Sequence, residues 1–86
     1  MPYDVYLHPS AKRQLDGLPG GVRPRIDDAL RKLGDNPRPG GCRKLAGGDC
    51  WRVRVGDYRI IYTVDDQKRR VSVAWIGLRK DAYRGN

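Results

Sequence analysis

The stretch Trp51-Arg52-Val53-Arg54-Val55-Gly56-Asp57-Tyr58-Arg59-Ile60-Ile61-Tyr62 decides the fold of this 86-residue chain. Apolar and basic residues alternate up to Val55, the pattern breaks at Gly56-Asp57, and an apolar-rich run resumes at Tyr58. Alternation with a period of two marks a strand with one buried face. A glycine at the first of two central positions is the signature of a type II′ turn, whose twist matches the strands it joins. The pattern predicts an antiparallel hairpin of residues 51–55 and 58–64. A two-residue turn also fixes its register: Val55 opposite Tyr58, Arg54 opposite Arg59, Val53 opposite Ile60, Arg52 opposite Ile61 and Trp51 opposite Tyr62. Residues directly opposite share a face. Trp51, Val53, Val55, Tyr58, Ile60 and Tyr62 therefore line one side, and Arg52, Arg54 and Arg59 the other.

Working outward, residues 3–7 alternate Tyr3, Val5 and Leu7 with Asp4 and Tyr6, a short half-buried strand ended by His8-Pro9. Ser10 is placed to cap a short helix with Ala11, Leu15 and Leu18 on one face. Gly17 and Pro19-Gly20-Gly21 close it. Val22, Ile26, Ala29, Leu30 and Leu33 form the stripe of a second helix, with Pro24 tolerable in its first turn and Gly34 as its C′ residue. The two helices form an αα-hairpin able to cover the apolar side of the sheet. Residues 34–50 read as a loop-like bridge in which residues 43–45 add a short extended segment. Beyond the hairpin, residues 65–69 form a looser turn and residues 71–76 a third strand. The chain reads as one domain, residues 1–86.

The charge is strongly positive: 18 Lys and Arg against 10 acidic residues give +8 and a pI near 10. Thirteen of the cations are arginine, suited to planar, bidentate phosphate contact. Residues 1–41 carry a net +2 and residues 42–86 a net +6, so the second half is the side that would face a polyanion. Like charges directly opposite on a sheet cost roughly 0.2–1 kcal/mol per pair. An anion between Arg54 and Arg59 would reverse that sign, and alanine at either position is expected to leave the fold intact.

Several chemistries lack their residues. His8, the one histidine, sits in a turn before a proline, and every carboxylate is an aspartate, mostly in turns or on helix surfaces. Cys42 and Cys50 stand in the loop bridge without companion ligands for a zinc site, and two cysteines make no disulfide framework. No metal and no cofactor is expected. No apolar run approaches the roughly 20 residues that span a bilayer. The N-terminus lacks a signal peptide's pattern, so a cytoplasmic protein without a membrane partner is expected.

The run from Lys44-Leu45-Ala46-Gly47-Gly48-Asp49-Cys50 through the hairpin to Tyr62 resembles the core of the RelE/ParE superfamily of bacterial toxins. The tail Ile76-Gly77-Leu78-Arg79-Lys80-Asp81-Ala82-Tyr83-Arg84 resembles its closing motif, and the order of strand and helices agrees. The resemblance implies an α+β fold: a twisted, mostly antiparallel β-sheet with an N-terminal helical hairpin packed on one face. It also implies a toxin of a type II toxin–antitoxin system. RelE-type members cleave mRNA on the ribosome without a metal, whereas ParE-type members poison DNA gyrase. The RelE-type basic and phenolic positions fall on Arg52, Arg54, Arg59, Arg79 and Tyr83, which favours the endoribonuclease branch.

The implied catalytic set is Arg54, Arg59, Arg79 and Tyr83, with Arg52, Lys44, Lys80 and Arg84 contacting RNA. The implied partners are an acidic antitoxin, the ribosome and mRNA; on the alternative branch the partner is gyrase, and a third reading is a basic RNA-binding module without catalysis. RelE has lysines where this chain has Arg52 and Arg54. Arginine does not give up its proton, so the resemblance leaves the general base open. Three residues follow Tyr83, which implies that the family's C-terminal helix is missing or reduced to a turn.

Overall fold

The hairpin forms in the register that the two-residue turn dictates. The structure, a computed structural model, describes residues 2–45 and 47–81. β3 (Cys50–Val55) pairs antiparallel with β4 (Tyr58–Asp65), with Val53 opposite Ile60 and Arg54 opposite Arg59. Gly56 takes φ +60°, the left-handed value that the first central position of this turn requires. β5 (Arg70–Leu78) adds to the far side of β4, and β1 (Asp4–Leu7) lies parallel beside β5. The short β2 (Arg43–Lys44) pairs with the other edge of β3, completing the order β1-β5-β4-β3-β2.

Two helices, α1 (Pro9–Asp16) and α2 (Arg23–Asp35), cover the apolar side. Ala11 and Leu15 from α1, and Ile26, Leu30 and Leu33 from α2, are buried with Ile60, Tyr62, Val71, Val73 and Ile76. Trp51, Val53, Val55 and Tyr58 are half-buried around that core. The expected sheet with a helical hairpin on one face is therefore present, in mixed form because β1 runs parallel to β5. No helix among the described residues is long and apolar enough to cross a membrane.

Three local expectations are corrected. Ser10 does not cap α1: the helix starts at Pro9, with His8 as N-cap and no side-chain cap bond. Proline needs no cap at N1, because it has no N–H there and its φ is already helical. Leu18 packs against the core from beyond the end of α1. Gly34 is not the C′ residue. It lies buried inside α2, and its carbonyl accepts the Tyr3 N–H at 3.0 Å, drawing β1 against the helix end.

The cysteines remain free. The Leu45 N–H donates to the Cys50 carbonyl at 2.8 Å, which sets Cys42 three residues along the chain from Cys50's neighbour. At a rise of about 3.3 Å per residue that offset is near 10 Å, beyond the roughly 7 Å a disulfide spans. Cys42 instead lies beside Tyr62, whose hydroxyl donates to the Pro37 carbonyl at 2.7 Å. Burial, and then Cys42, push the Tyr62 phenol above its ordinary range, so it stays protonated as that donor. Tyr62 therefore pins the loop after α2 to the core. The same loop is held from outside by Arg38, whose Nη1 and Nη2 donate to Asp66 at 3.1 and 2.9 Å.

β5 outruns β1. The His8 N–H donates to the Val73 carbonyl at 3.0 Å, and beyond it the outer edge of β5 has no strand partner among the described residues. Gln14 fills part of the gap: its Oε1 accepts the Ile76 N–H at 2.8 Å. Gln14→Ala leaves that part-buried N–H without its acceptor, at a cost of about 1–3 kcal/mol. Urea unfolding should show the loss as a lower midpoint with an unchanged slope.

Candidate nucleic-acid interface

The ion pairs divide the molecule. Lys12 and Arg23 pair with Asp16, Arg23 also with Asp27, Arg31 and Lys32 with Asp28, and Arg38 with Asp66. Five of these six pairs lie along α1 and α2, and the sixth joins the loop after α2 to the β4–β5 turn. Lys32 and then Arg31 hold the Asp28 carboxyl below its usual range, and Arg38 and Tyr3 do the same for Asp66. Among the described residues no carboxylate pairs with Arg43, Lys44, Arg54, Arg79 or Lys80, all exposed. Most exposed cations without an ion pair among the described residues thus fall in the +6 half, where Lys68, Arg69 and Arg70 near the β4–β5 turn join them, while Arg13 and Arg25 are the unpaired cations of the helices.

Register places Arg52, Arg54 and Arg59 on the sheet face away from the helices, as the alternation implies. Their exposure differs from a row of open cations. Arg54 is exposed, but Arg52 is only 8% exposed and Arg59 only 2%. Arg52 reaches sideways, its Nη1 donating to the Gly41 carbonyl at 3.3 Å, and neither Arg52 nor Arg59 is a free surface cation. Opposite Arg59 on β5 stands Gly77. A Cβ on Gly77 would lie 2.8 Å from Cη2 and Cζ2 of Trp75, so the indole lies over the bare Gly77 backbone, beside Arg59 on the same face. A register shift between Ile61 and Tyr62 sets Trp75 opposite Ile61 and Val73 opposite Tyr62, leaving Ala74 as the extra residue of a bulge. That bulge aims Trp75 at the arginine side while Val71 and Val73 keep to the core.

Beyond this rung lies the hairpin tip. The Arg79 N–H donates to the Asp57 carbonyl at 2.8 Å, fixing the turn of residues 79–81 to the tip. Asp57, Leu78, Arg79 and Lys80 line a cleft of about 580 Å³. Adjacent strands lie about 4.8 Å apart, so two strand spacings, roughly 10 Å, separate the Arg54 backbone from the β5 strand that delivers Arg79. Lys44 stands across from Trp51 on the edge strand, away from the tip. Tyr83 and Arg84 lie outside the described residues. Among those residues no three His, Cys, Asp or Glu side chains gather as metal ligands would.

Two contributors were not visible from the sequence. The alternation marks Trp75 only as a strand residue, although an aromatic two positions before a glycine on one strand face is a signal for a ring lying over bare backbone. Arg25 of α2 approaches the hairpin tip from the helix side: a Cβ on Gly56 would meet its Nη2 at 2.8 Å. Nothing in the α2 pattern marks Arg25 apart from its neighbours, because its place depends on how the helix crosses the hairpin.

Comparison with known proteins gives a consistent result. Residues 5–83 match the family model described as ParE toxin of type II toxin–antitoxin system, parDE. Toxin RelE of Mycobacterium tuberculosis is 32% identical over 87 aligned positions, covering 99% of this chain and 90% of that protein. Toxin RelG of the same organism is 33% identical over 88, covering 98% and 99%. The crystal structure of the archaeal RelE–RelB complex from Pyrococcus horikoshii superposes with a TM-score of 0.83 at 30% identity, covering 95% of this chain and 100% of that one.

The burial of Arg59 gives its removal a structural cost that removal of the exposed Arg54 does not carry. Arg59→Ala empties an enclosed site and should cost about 2–4 kcal/mol. Arg54→Ala should stay within about 0.5 kcal/mol of the parent, offset toward stability by relief of the Arg54–Arg59 repulsion. Thermal melts of the two variants should therefore part clearly, with Arg59→Ala melting several degrees lower.

Proposed function

We propose that this chain, which belongs to the RelE/ParE superfamily of toxins from type II toxin–antitoxin systems, is a ribosome-dependent mRNA endonuclease. The supporting observation is the set of cations without an ion pair at one end of the sheet, Arg54, Arg79 and Lys80, on a domain that pairs most of its helix cations with aspartates. In the reaction proposed, the 2′-oxygen of one ribose attacks the adjacent phosphorus in line. Its proton passes to a base, the 5′-oxygen leaves and takes up a proton, and a 2′,3′-cyclic phosphate remains. Negative charge gathers on the phosphoryl oxygens, and fixed guanidinium groups stabilise it more than they stabilise the substrate.

Arg54, exposed at the rung below the tip, clamps the phosphate. Arg59 lies beside it and meets the phosphate once its covering moves. Arg79, held by its backbone to Asp57, supports the leaving oxygen. Tyr83, from the family resemblance, stacks on or orients a base. Arg52, Lys44, Lys80 and Arg84 hold the flanking backbone. Arginine is a poor proton acceptor, so in this reading the 2′-hydroxyl proton passes to solvent water, and the ribosome contributes by bending mRNA into in-line geometry. The solved RelE–RelB complex supports a cognate antitoxin for this chain too. In this reading the antitoxin is acidic and neutralises the same cations.

Arg54→Ala and Arg79→Ala should keep the fold and lose about 100- to 1000-fold in cleavage, the effect of removing one donor to developing charge. Primer extension on translated mRNA with purified ribosomes reads this directly. Parent activity in both variants would remove them from the site. Inhibition of gyrase supercoiling by the parent, with no mRNA cleavage, would move the protein to the ParE branch. The antitoxin complex should melt above the toxin alone and weaken with added salt, because opposed charges are screened.

A further inference from the structure

Arg25 differs from the other cations of α2. Arg23, Arg31 and Lys32 each reach an aspartate, whereas no ion pair engages Arg25 among the described residues. Its guanidinium instead lies against the backbone of Gly56, where a Cβ would stand 2.8 Å from Nη2, 3.3 Å from Nη1 and 3.4 Å from Cζ. Only a residue without a side chain admits this approach, and Gly56 is also the residue whose positive φ makes the turn. The turn glycine therefore serves two purposes: it reverses the chain, and it seats an arginine from another element at the hairpin tip.

Arg25 and Arg54 line one cleft of about 340 Å³ between α2 and the outer edge of β3. That edge is open there, because β2 pairs only with Trp51 and Arg52. Ala29, Leu33, Val53 and Val55 give the cleft an apolar floor. Its one carboxylate, Asp28, is already bonded to Arg31 and Lys32. Two unpaired guanidinium groups over an apolar floor repel each other when empty and attract a group that is anionic at one end and flat and apolar at the other. A nucleotide has that form, its phosphate bridging the arginines and its ribose or base resting on the floor.

We propose that the α2–β3 cleft is a nucleotide subsite for single-stranded RNA next to the bond that is cut, with Arg25 and Arg54 sharing one phosphate. Arg54 then joins the two sides of the hairpin, since the strand that carries it separates this cleft from the Arg79 side. The inference rests on the RNA-binding part of the proposed function and adds a residue, Arg25, that the family resemblance did not mark. It does not require that the chain cleave RNA.

The test is equilibrium binding of the full chain to a short fluorescent oligouridylate with methylated 2′-hydroxyls, followed by anisotropy across a range of salt concentrations. A contact with one single-strand phosphate contributes about 0.7 to the slope of log K against log salt. Arg25→Ala should lower the slope by about that amount and weaken low-salt binding by about ten-fold. Arg25→Lys, which keeps the charge, should retain the slope. Lys12→Ala, which removes a paired cation on α1, should leave slope and affinity at the parent values. Should Arg25→Ala melt early, Arg25→Gln carries the same reading with the side chain's length kept. A parent-like slope in Arg25→Ala overturns the subsite. So does a parent-like slope accompanied by lost affinity for an acidic antitoxin peptide, which would make the cleft a peptide groove. A lowered slope in a chain that fails to cleave mRNA would keep the subsite and remove the nuclease, so the two failures are distinguishable.

Discussion

The pairing of Arg54 with Arg59 follows from a turn of two residues at Gly56-Asp57, and most of the molecule is arranged around that register. Because side chains alternate, a slip of one residue in β4 would turn Arg59 toward the helices and Ile60 and Tyr62 out to solvent. The energies decide which arrangement stands. Burying a large apolar side chain is worth about 1.5–3 kcal/mol, and Ile60 and Tyr62 are both fully enclosed. Facing arginines cost roughly 0.2–1 kcal/mol. The helix side wins by several-fold, and clustered arginines on the opposite face are the consequence.

Burial then sorts that cluster into two kinds of arginine. Arg54 stands in solvent, while Arg52 and Arg59 are enclosed and engaged. Arginine keeps its charge even when enclosed, so a cation held at Arg59 contributes a fixed field beneath the surface. Trp75 over Gly77 adds to its enclosure, and the bulge at Ala74 makes that placement available without disturbing Val71 and Val73. In the proposed reading a phosphate meets Arg54 and Arg79 first and reaches Arg59 only after some of this packing moves. Part of any binding energy is then used to open the site, which favours a ligand already held by remote contacts.

The sequence exposed those features whose signal is local and periodic. The hairpin, its register, both helix stripes and the short segment at Arg43-Lys44 were legible because alternation and helical spacing report which side of an element is buried. The parallel pairing of β1 with β5 was not legible, because no turn connects them. Gly34 looked like a helix terminator, yet the helix runs one residue past it, with the Asn36 N–H still bonded to the Lys32 carbonyl and the freed Gly34 carbonyl taken up by the Tyr3 N–H. The bulge did leave a trace: Val71 and Val73 are odd-numbered and Ile76 and Leu78 even-numbered, so the apolar parity switches between them. Alternation also names a face without saying what covers it. For that reason Arg59 looked open and Arg25, whose role depends on a helix crossing a turn, looked ordinary.

The division of charge has a cost that links stability to binding. Exposed ion pairs such as Lys12–Asp16 and Arg23–Asp27 contribute about 0–1 kcal/mol each, too little to explain the fold. Their larger effect is to cancel charge along the helices, so that much of the net +8 falls on exposed cations of the second half that make no ion pair among the described residues, Arg54, Arg79 and Lys80 at the hairpin end among them. Concentrated like charge destabilises a compact chain by self-repulsion. A domain of this size buries only about 60–65% of its unfolded surface and has little core with which to offset the strain. An anionic ligand at the hairpin end removes the repulsion and adds attraction in one step, whether it is the phosphate chain of an RNA or the acidic segment of an antitoxin. In the proposed reading the two compete for the same electrostatic deficit, and the feature that makes the isolated domain less stable is also the one that draws the anion.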